Sequence, residues 1–378
     1  MNPDAPLDHA IPCHIGSQID PERRRGRGAV SNASGRFERF SRTEEFDDRG
    51  EDEPPPFRTE VIMERAKSII TRNDSPDISF DRSINPYRGC EHGCSYCFAR
   101  PSHTFLGLSA GLDFETKLYA KTGAAALLER ELSAPGYQPR VIALGANTDP
   151  YQPVEKEHRI TRSVLEVLAR TNHPVGIVTK SALVTRDIDL LAPMAERGLV
   201  KVALSVTTLD RTLSRAMEPR AAAPGRRLAT IRALSEAGIP VSVLVAPVIP
   251  AINDHEIERI LESAREAGAS EAGYVLLRLP HEVRDIFAEW LVTHAPDKAR
   301  HVLSLVRSTR GGKDYDPKFF KRQSGDGPFA WMIGRRFSLA AERLGFAKRR
   351  LKLDTTLFRP PSTAGEQLNL FDVSEVAA

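Results

Sequence analysis

Cysteine is scarce: the chain has 378 residues and four cysteines. That excludes a disulfide-stapled scaffold. Long hydrophobic runs are missing as well. The longest uncharged apolar stretch, Ile239 to Asn253, is broken by Pro240, Pro247 and Pro250, and it falls short of the ~20 residues of a membrane helix. Charge of one sign is also lacking. Lys and Arg number 53 against 50 Asp and Glu, a net of +3, so total charge argues for no polyanionic partner, although its distribution can. The N-terminal string MNPDAPLDHA has no basic-then-apolar secretion pattern. A soluble cytoplasmic protein is the expectation. No internal repeat is visible.

What is present is ordinary in bulk and uneven along the chain. Hydrophobic residues at 41% and charged residues at 27% suit a globular protein with a full core. Residues 1–57 carry 8 Arg against 12 Asp and Glu and show little aliphatic periodicity. Such a segment buries too little apolar surface to offset its ordering entropy, so 1–57 is expected to be a disordered arm ending at Pro54-Pro55-Pro56. Residues 310–352 hold 12 Lys and Arg against 4 Asp and Glu, interleaved with Tyr315, Phe319, Phe320, Phe329, Trp331, Phe337 and Phe346. From Pro360 the chain returns to a polar linker and a short apolar tail.

Between these ends, aliphatic runs alternate with helical patterns. Strands are expected at 78–84, 140–144, 175–179, 200–206, 241–246 and 273–277. Helices are expected at 160–170, 187–196, 226–237 and 254–267, the last two closed by Gly238 and Gly268. Strands buried on both faces and separated by helices argue parallel βα units. About six units across 78–294 suit a complete or partial barrel, with a doubly wound open sheet as the alternative.

Three of the four cysteines fall together in Cys90-Glu-His-Gly-Cys94-Ser-Tyr-Cys97, a C-x3-C-x2-C spacing on a glycine-punctuated loop after the first expected barrel strand. One reading is a packing or reactive cluster. Another is a Cys3His zinc site completed by His92 or His103. A third is an iron–sulfur cluster on three thiolates, with one iron open to a non-protein ligand. Cys13, in the expected arm, is a poor fourth ligand.

The C-x3-C-x-Φ-C string, with Tyr96 before its last cysteine, resembles the radical S-adenosylmethionine (SAM) superfamily. The wider string Asn85-Pro86-Tyr87-Arg88-Gly89-Cys90 through Phe98-Ala99-Arg100, with Phe114-Glu115-Thr116-Lys117 downstream, is similar to its spore-photoproduct-lyase-like branch. The resemblance covers about residues 60–345. With the βα series it implies an α/β fold, a partial (βα)6 TIM-like barrel over 58–294; the charge and composition of the rest give a basic helical extension at 295–359 and a flexible tail at 360–378, which carries a clamp-like motif. The resemblance also implies that Cys90, Cys94 and Cys97 hold three irons of a [4Fe-4S] cluster whose fourth iron SAM chelates. Reductive cleavage of SAM then gives a 5′-deoxyadenosyl radical that abstracts hydrogen from a substrate.

By the same resemblance, strand ends at the barrel rim contact SAM. Asn147, Thr148 and Asp149 are the candidates to receive the methionine ammonium, Ser205 and Thr207 to meet the ribose or carboxylate, and Pro247 and Ile249 to pack on adenine beside Tyr96. Each also has a plain reading, as a turn residue, a strand-end hydroxyl or core. Leu276 and Leu277 read as core; Lys180 and Arg278 point from strand ends as possible anion contacts.

One departure stands out. Photoproduct lyases of this branch use a further barrel cysteine as hydrogen donor, and here no cysteine follows Cys97; Asn147 stands near that position. Thymine-dimer reversal is therefore not expected. Two features tilt the substrate toward DNA: the basic aromatic stretch, whose plain reading is a solvated amphipathic helix, and Gln367-Leu368-Asn369-Leu370-Phe371. The latter resembles the motif by which bacterial repair proteins bind the sliding clamp. The usual reductant for such chemistry is a flavodoxin or ferredoxin. The alternatives are a radical SAM enzyme modifying protein, RNA or a small molecule, and a non-enzymatic zinc adaptor docked on the clamp.

Overall fold

Alternating burial builds the centre of the molecule. In a computed structural model describing residues 18–38 and 55–361, the strands in chain order are β1 (Glu60–Arg65), β2 (Ile70–Arg72), β3 (Arg82–Ile84), β4 (Tyr87–Arg88), β5 (Lys117–Thr122), β6 (Ile142–Leu144), β7 (Val175–Thr179), β8 (Val200–Ser205), β9 (Val241–Val248) and β10 (Glu271–Leu276). Seven of them form one sheet in the order β10-β9-β8-β7-β6-β3-β2. Its neighbours are parallel except β2, which runs antiparallel to β3.

The six parallel strands are those expected from the aliphatic runs, and each crossover carries a helix. The helix Ile160–Arg170, at the bounds its pattern predicts, buries Ile160, Val164, Leu165, Val167 and Leu168, a spacing of three and four that lays one face on the sheet. The parallel strands make the C-terminal ends of all six open on a single rim, the place where such architectures collect functional loops.

The sheet does not close; β10 and β2 are its edges. A C-terminal loop spans the open side. The Leu276 amide donates to the Gln323 carbonyl at 2.8 Å. Arg322 donates to the Asp77 carboxylate, and the Gln323 side chain to the Asp77 carbonyl at 3.2 Å. A separate three-stranded sheet, β1-β5-β4, packs beside the rim. Its polar sequences EVIMER and KLYAKT carry weak strand signals, and the alternation reading did not anticipate it.

The disorder expected across 1–57 needs correction for residues 18–38. There Ile19, Arg27, Ala29, Val30 and Ser31 are buried. The segment is held less by apolar burial than by hydrogen bonds from its backbone to a buried carboxylate, which composition cannot reveal. Cys13 and the remainder of the arm lie outside the described residues.

The basic stretch 310–352 also divides. Helix Gly327–Arg343 buries Ala330, Ile333, Phe337 and Ala340 on the barrel. Arg322, Arg336, Arg343, Lys321 and Lys348 pair with Asp77, Glu258, Glu262, Asp326 and Glu342. Arg310 is buried on the carbonyls of Lys321 and Leu277. After that helix the chain crosses the opposite, N-terminal ends of the strands. The Leu351 amide reaches Glu271, Asp354 reaches Gly198, and Arg359 reaches Thr171. Gln367–Phe371 lie outside the described residues. Among the described residues no helix is long and apolar enough to cross a membrane.

Candidate cluster and cofactor site

The cysteine loop leaves the rim after β3 and is braced from four sides. The Cys90 amide donates to the Phe114 carbonyl at 2.9 Å, Ser95 N to Met217 O at 3.0 Å, and Arg220 N to His92 O at 3.3 Å. Gln152 grips the loop with both ends of its amide, donating to Gly89 O at 3.1 Å and accepting from Glu91 N at 2.9 Å. Within the loop, Cys97 N turns back to Cys94 O and Arg100 N to Cys97 O.

Behind the loop lies a buried Arg100–Glu115 pair. Both side chains are fully excluded from solvent. The Arg100 guanidinium also donates to the carbonyls of Cys94, Ala110 and Gly111 at 2.9–3.0 Å. Glu115 accepts from the amides of Gly28 and Ala29 at 2.9 and 2.8 Å, and its carbonyl from Arg27 at 2.9 Å. The N-terminal segment is thereby clamped onto the cysteine loop, and the contact tolerates no side chain. A Cβ on Gly28 would stand 1.6 Å from Gly93 O, and one on Gly93, at φ +67°, would stand 2.6 Å from Glu115 Oε2.

The three thiols are free; Cys90 and Cys94 are buried and Cys97 is half-buried. Burial pushes the Cys90 thiol well above its usual value, and Asp149, Cys94 and Cys97 push it the same way. Burial also raises Cys94, against the opposing pull of the Lys180 ammonium. The buried thiols of Cys90 and Cys94 need a compensating positive centre to become thiolates, which is what a bound metal centre provides. The donor set therefore fits an iron–sulfur cluster. It does not fit zinc: no group of three His, Cys, Asp or Glu among the described residues is placed to hold a metal ion. His92 faces Asp149 at 3.3 Å and His103 faces the Lys117 carbonyl at 2.8 Å. A cluster carries each thiolate on its own iron and does not require the sulfurs to converge on one point.

The rim residues expected from the resemblance are gathered around this loop, with their polar groups used unequally. Asp149 is already saturated. It accepts from Thr179 Oγ1 at 2.7 Å, Lys180 N at 2.7 Å and Tyr151 N at 2.9 Å, beside the His92 ring. Burial raises its pKa, but His92 and these hydrogen bonds outweigh burial and hold it at about 2. Thr148 is buried with its hydroxyl on the Tyr87 carbonyl at 2.9 Å. Asn147 is held by its amide on Asn85 Oδ1 at 3.0 Å, and its side chain has no partner among the described residues. Ser205 donates to Ala246 O at 3.0 Å and Thr207 to Glu218 at 2.7 Å. Pro247 follows a cis peptide bond. Ile249 is buried in the same apolar cluster as Cys94 and Tyr96. Asn253 fixes this turn through Ile249 N, Thr207 O and Pro247 O. Leu276 and Leu277 are core, as expected.

Several residues that shape the site were not singled out from sequence. Tyr96 donates to Glu218, which pairs with Arg227 in a buried ion pair. Lys180, already expected as a possible anion contact, has its ammonium 5.7 Å from the Tyr96 ring centroid and donates to Ser205 Oγ at 3.4 Å. His92 and Gln152 lie inside or beside the motif, yet nothing in their spacing signals a bracing role. Glu115 lies within the resemblance string; its partner Arg27 sits in a segment that reads as a polar arm.

A loop of three cysteines on the C-terminal rim of a six-strand parallel partial barrel defines an α/β enzyme built to carry a metallocofactor. The Radical SAM superfamily pattern matches residues 84–264. An uncharacterized protein of Mycobacterium tuberculosis is 37% identical over 250 residues, 66% of this chain and 73% of that protein. An uncharacterized protein of Methanocaldococcus jannaschii is 28% identical over 202 residues, 53% of this chain and 71% of that protein. Among solved structures, a spore photoproduct lyase mutant with bound AdoMet and dinucleoside spore photoproduct superposes with a TM-score of 0.54 at 17% identity, covering 76% of this chain and 80% of that one. The chain belongs to the radical SAM superfamily, whose members use an iron–sulfur cluster and SAM, and it shares the fold of spore photoproduct lyase.

Proposed function

We propose that Cys90, Cys94 and Cys97 hold a [4Fe-4S] cluster and that the chain acts on nucleic acid. The observation that carries the cluster assignment is the set of three free thiols on one braced loop at the C-terminal rim, in a chain of this superfamily. Such a cluster, when bound, supplies the electron that cleaves SAM and so generates a hydrogen-abstracting radical. The protein's part is to place and enclose. Tyr96, Ile249 and Pro247 form the apolar wall for adenine. Ser205 and Thr207 offer strand-end hydroxyls to the ribose, and Asn147 offers a free carboxamide. Lys180 is a cation without a carboxylate partner among the described residues and suits the methionine carboxylate. Asp149, with Thr148, then fixes the floor of the site through His92 and Lys180 N, and receives the ammonium only at an oxygen already shared.

Nucleic acid is favoured by exposed Phe319, Phe320 and Trp331 in the same stretch of chain as Lys313, Lys318 and Arg335, which have no ion-pair partner among the described residues. The fold is that of an enzyme solved in complex with a dinucleoside photoproduct. Reversal of that photoproduct is not part of the reading, because no cysteine follows Cys97 to return hydrogen. A flavodoxin- or ferredoxin-class reductant fits this chemistry, and clamp docking through Gln367–Phe371 rests on the tail sequence. The test is anaerobic incubation of the reconstituted, reduced protein with SAM and with damaged or undamaged DNA, monitoring 5′-deoxyadenosine. DNA-stimulated formation supports the reading. Formation indifferent to DNA moves the substrate to protein, RNA or a small molecule.

A further inference from the structure

Arg278 stands at the rim two residues beyond the end of β10. Its guanidinium carbon lies 4.9 Å from the ring centroid of Phe98, the residue after Cys97, and 6.0 Å from that of Tyr315. One terminal nitrogen donates to the Tyr315 hydroxyl at 3.2 Å. Its Nε is shut off from solvent with no acceptor, and no carboxylate pairs with the side chain among the described residues. An unpartnered Nε is shared with Arg27, Arg82 and Arg310, but Arg27 and Arg310 spend their terminal nitrogens on carbonyls and Arg100 and Arg227 on the carboxylates of Glu115 and Glu218, whereas the hydrogen bond of Arg278 goes to a neutral phenol. A second cation, Arg310, stands near enough to Arg278 to feel its charge. Burial first, and then the charge of Arg278, lower the pKa of Arg310.

A guanidinium clamped beside aromatic rings is fixed in plane, and its N–H edge remains free to fork onto a tetrahedral oxyanion. The clamp is rigid because the loop carrying Tyr315 is tied at Gln323 to Leu276 and at Arg322 to Asp77. The same loop leaves Phe319 and Phe320 exposed and carries Lys313 and Lys318. Stacking faces alternating with uncompensated cations match a single nucleic-acid strand better than an acidic peptide, which has no bases to stack. Resting on the nucleic-acid reading above, we propose that Arg278, held between Phe98 and Tyr315, is the subsite for a backbone phosphate of the substrate strand, adjoining the cysteine loop. Phe98 then couples phosphate placement to the loop that carries the cofactor ligands.

The test is fluorescence anisotropy of a short fluorescein-labelled single-stranded DNA with the anaerobically reconstituted protein, titrated across salt. Arg278→Ala should bind about tenfold more weakly, the loss of one charge-assisted contact. The slope of log K against log salt should fall by about 0.7, one phosphate on a single strand. Arg278→Lys should recover the slope but only part of the affinity, because charge returns without the fork. Tyr315→Ala should weaken binding like Arg278→Ala by releasing the clamp, which keeps the test decisive if one variant folds poorly. Wild-type affinity and slope in Arg278→Ala would overturn the subsite while leaving the nucleic-acid reading standing. Absence of salt-dependent binding by the wild type would overturn that reading, and the subsite with it.

Discussion

Arg100 and Glu115 form a fully buried ion pair that joins the N-terminal segment to the cysteine loop: the guanidinium holds the Cys94 carbonyl and the carboxylate holds the amides of Gly28 and Ala29. Removing one member leaves the other charge buried and unpaired, at a cost of about 3–5 kcal/mol. Glu115→Ala should therefore lower the urea midpoint sharply and reduce iron and sulfide per chain after reconstitution. Glu115→Gln, which keeps an acceptor, should fall between it and wild type. Full iron loading and stability in Glu115→Ala would reject the positioning role.

Gly28 tests the same joint by shape. Its Cβ would collide with the Gly93 carbonyl, so Gly28→Ala should detach residues 18–38. Limited trypsin digestion should then cleave at Arg23–Arg25 faster than in wild type, and iron loading should drop. Gly225→Ala, in helix Pro224–Glu236 with open space around the added carbon, is the control and should be neutral or stabilising by about 0.4–1 kcal/mol. Equal digestion of Gly28→Ala and wild type would contradict the docking.

These two residues also mark how far the sequence could be read. The barrel strands were legible because aliphatic runs such as VGIVT and VKVALS bury one face and half-bury the other, leaving no exposed position to break the run. The proposed cluster ligands stood out because three thiols in one short loop have few chemical uses. The docked arm was not, because RRRGRGAVSN is held by amide-to-carboxylate bonds and glycine contacts, which leave no hydrophobic pattern. The basic stretch misled in part for a related reason: its charges are answered by Glu258, Glu262 and Asp77, and a linear charge count cannot see partners distant in sequence. The rim residues were placed by resemblance, yet which of their polar groups remain available depends on partners such as His92 and Glu218 that only the fold brings together.

Acid stability should carry the mark of His173. Burial lowers its pKa from 6.5 to about 4, with its ring between Tyr137 and Phe358 under the C-terminal strap. Above about pH 6.5 neither state binds the proton and the contribution is complete. As pH falls from 6.5 toward 4 the unfolded chain takes up a proton that the native state refuses, so stability declines. Urea midpoints at about pH 7 and about pH 5 should differ more for wild type than for His173→Gln. Equal differences would remove His173 from the account.

The tail gives a prediction independent of the barrel. If the proposed clamp docking holds, deleting residues 367–371 should abolish binding to a bacterial sliding clamp by calorimetry, because the two leucines and the phenylalanine would be its apolar anchors, while leaving iron content unchanged. Clamp affinity that survives the deletion would dismiss the tail motif.

Electron paramagnetic resonance of the anaerobically reconstituted, dithionite-reduced protein, recorded with and without SAM, bears most directly on the cluster. Three thiolates on an otherwise open cubane predict a [4Fe-4S]+ signal whose g-values shift when SAM is added, and its loss when Cys90, Cys94 and Cys97 are together replaced by alanine. A signal indifferent to SAM, or undiminished in the triple variant, would contradict the assignment.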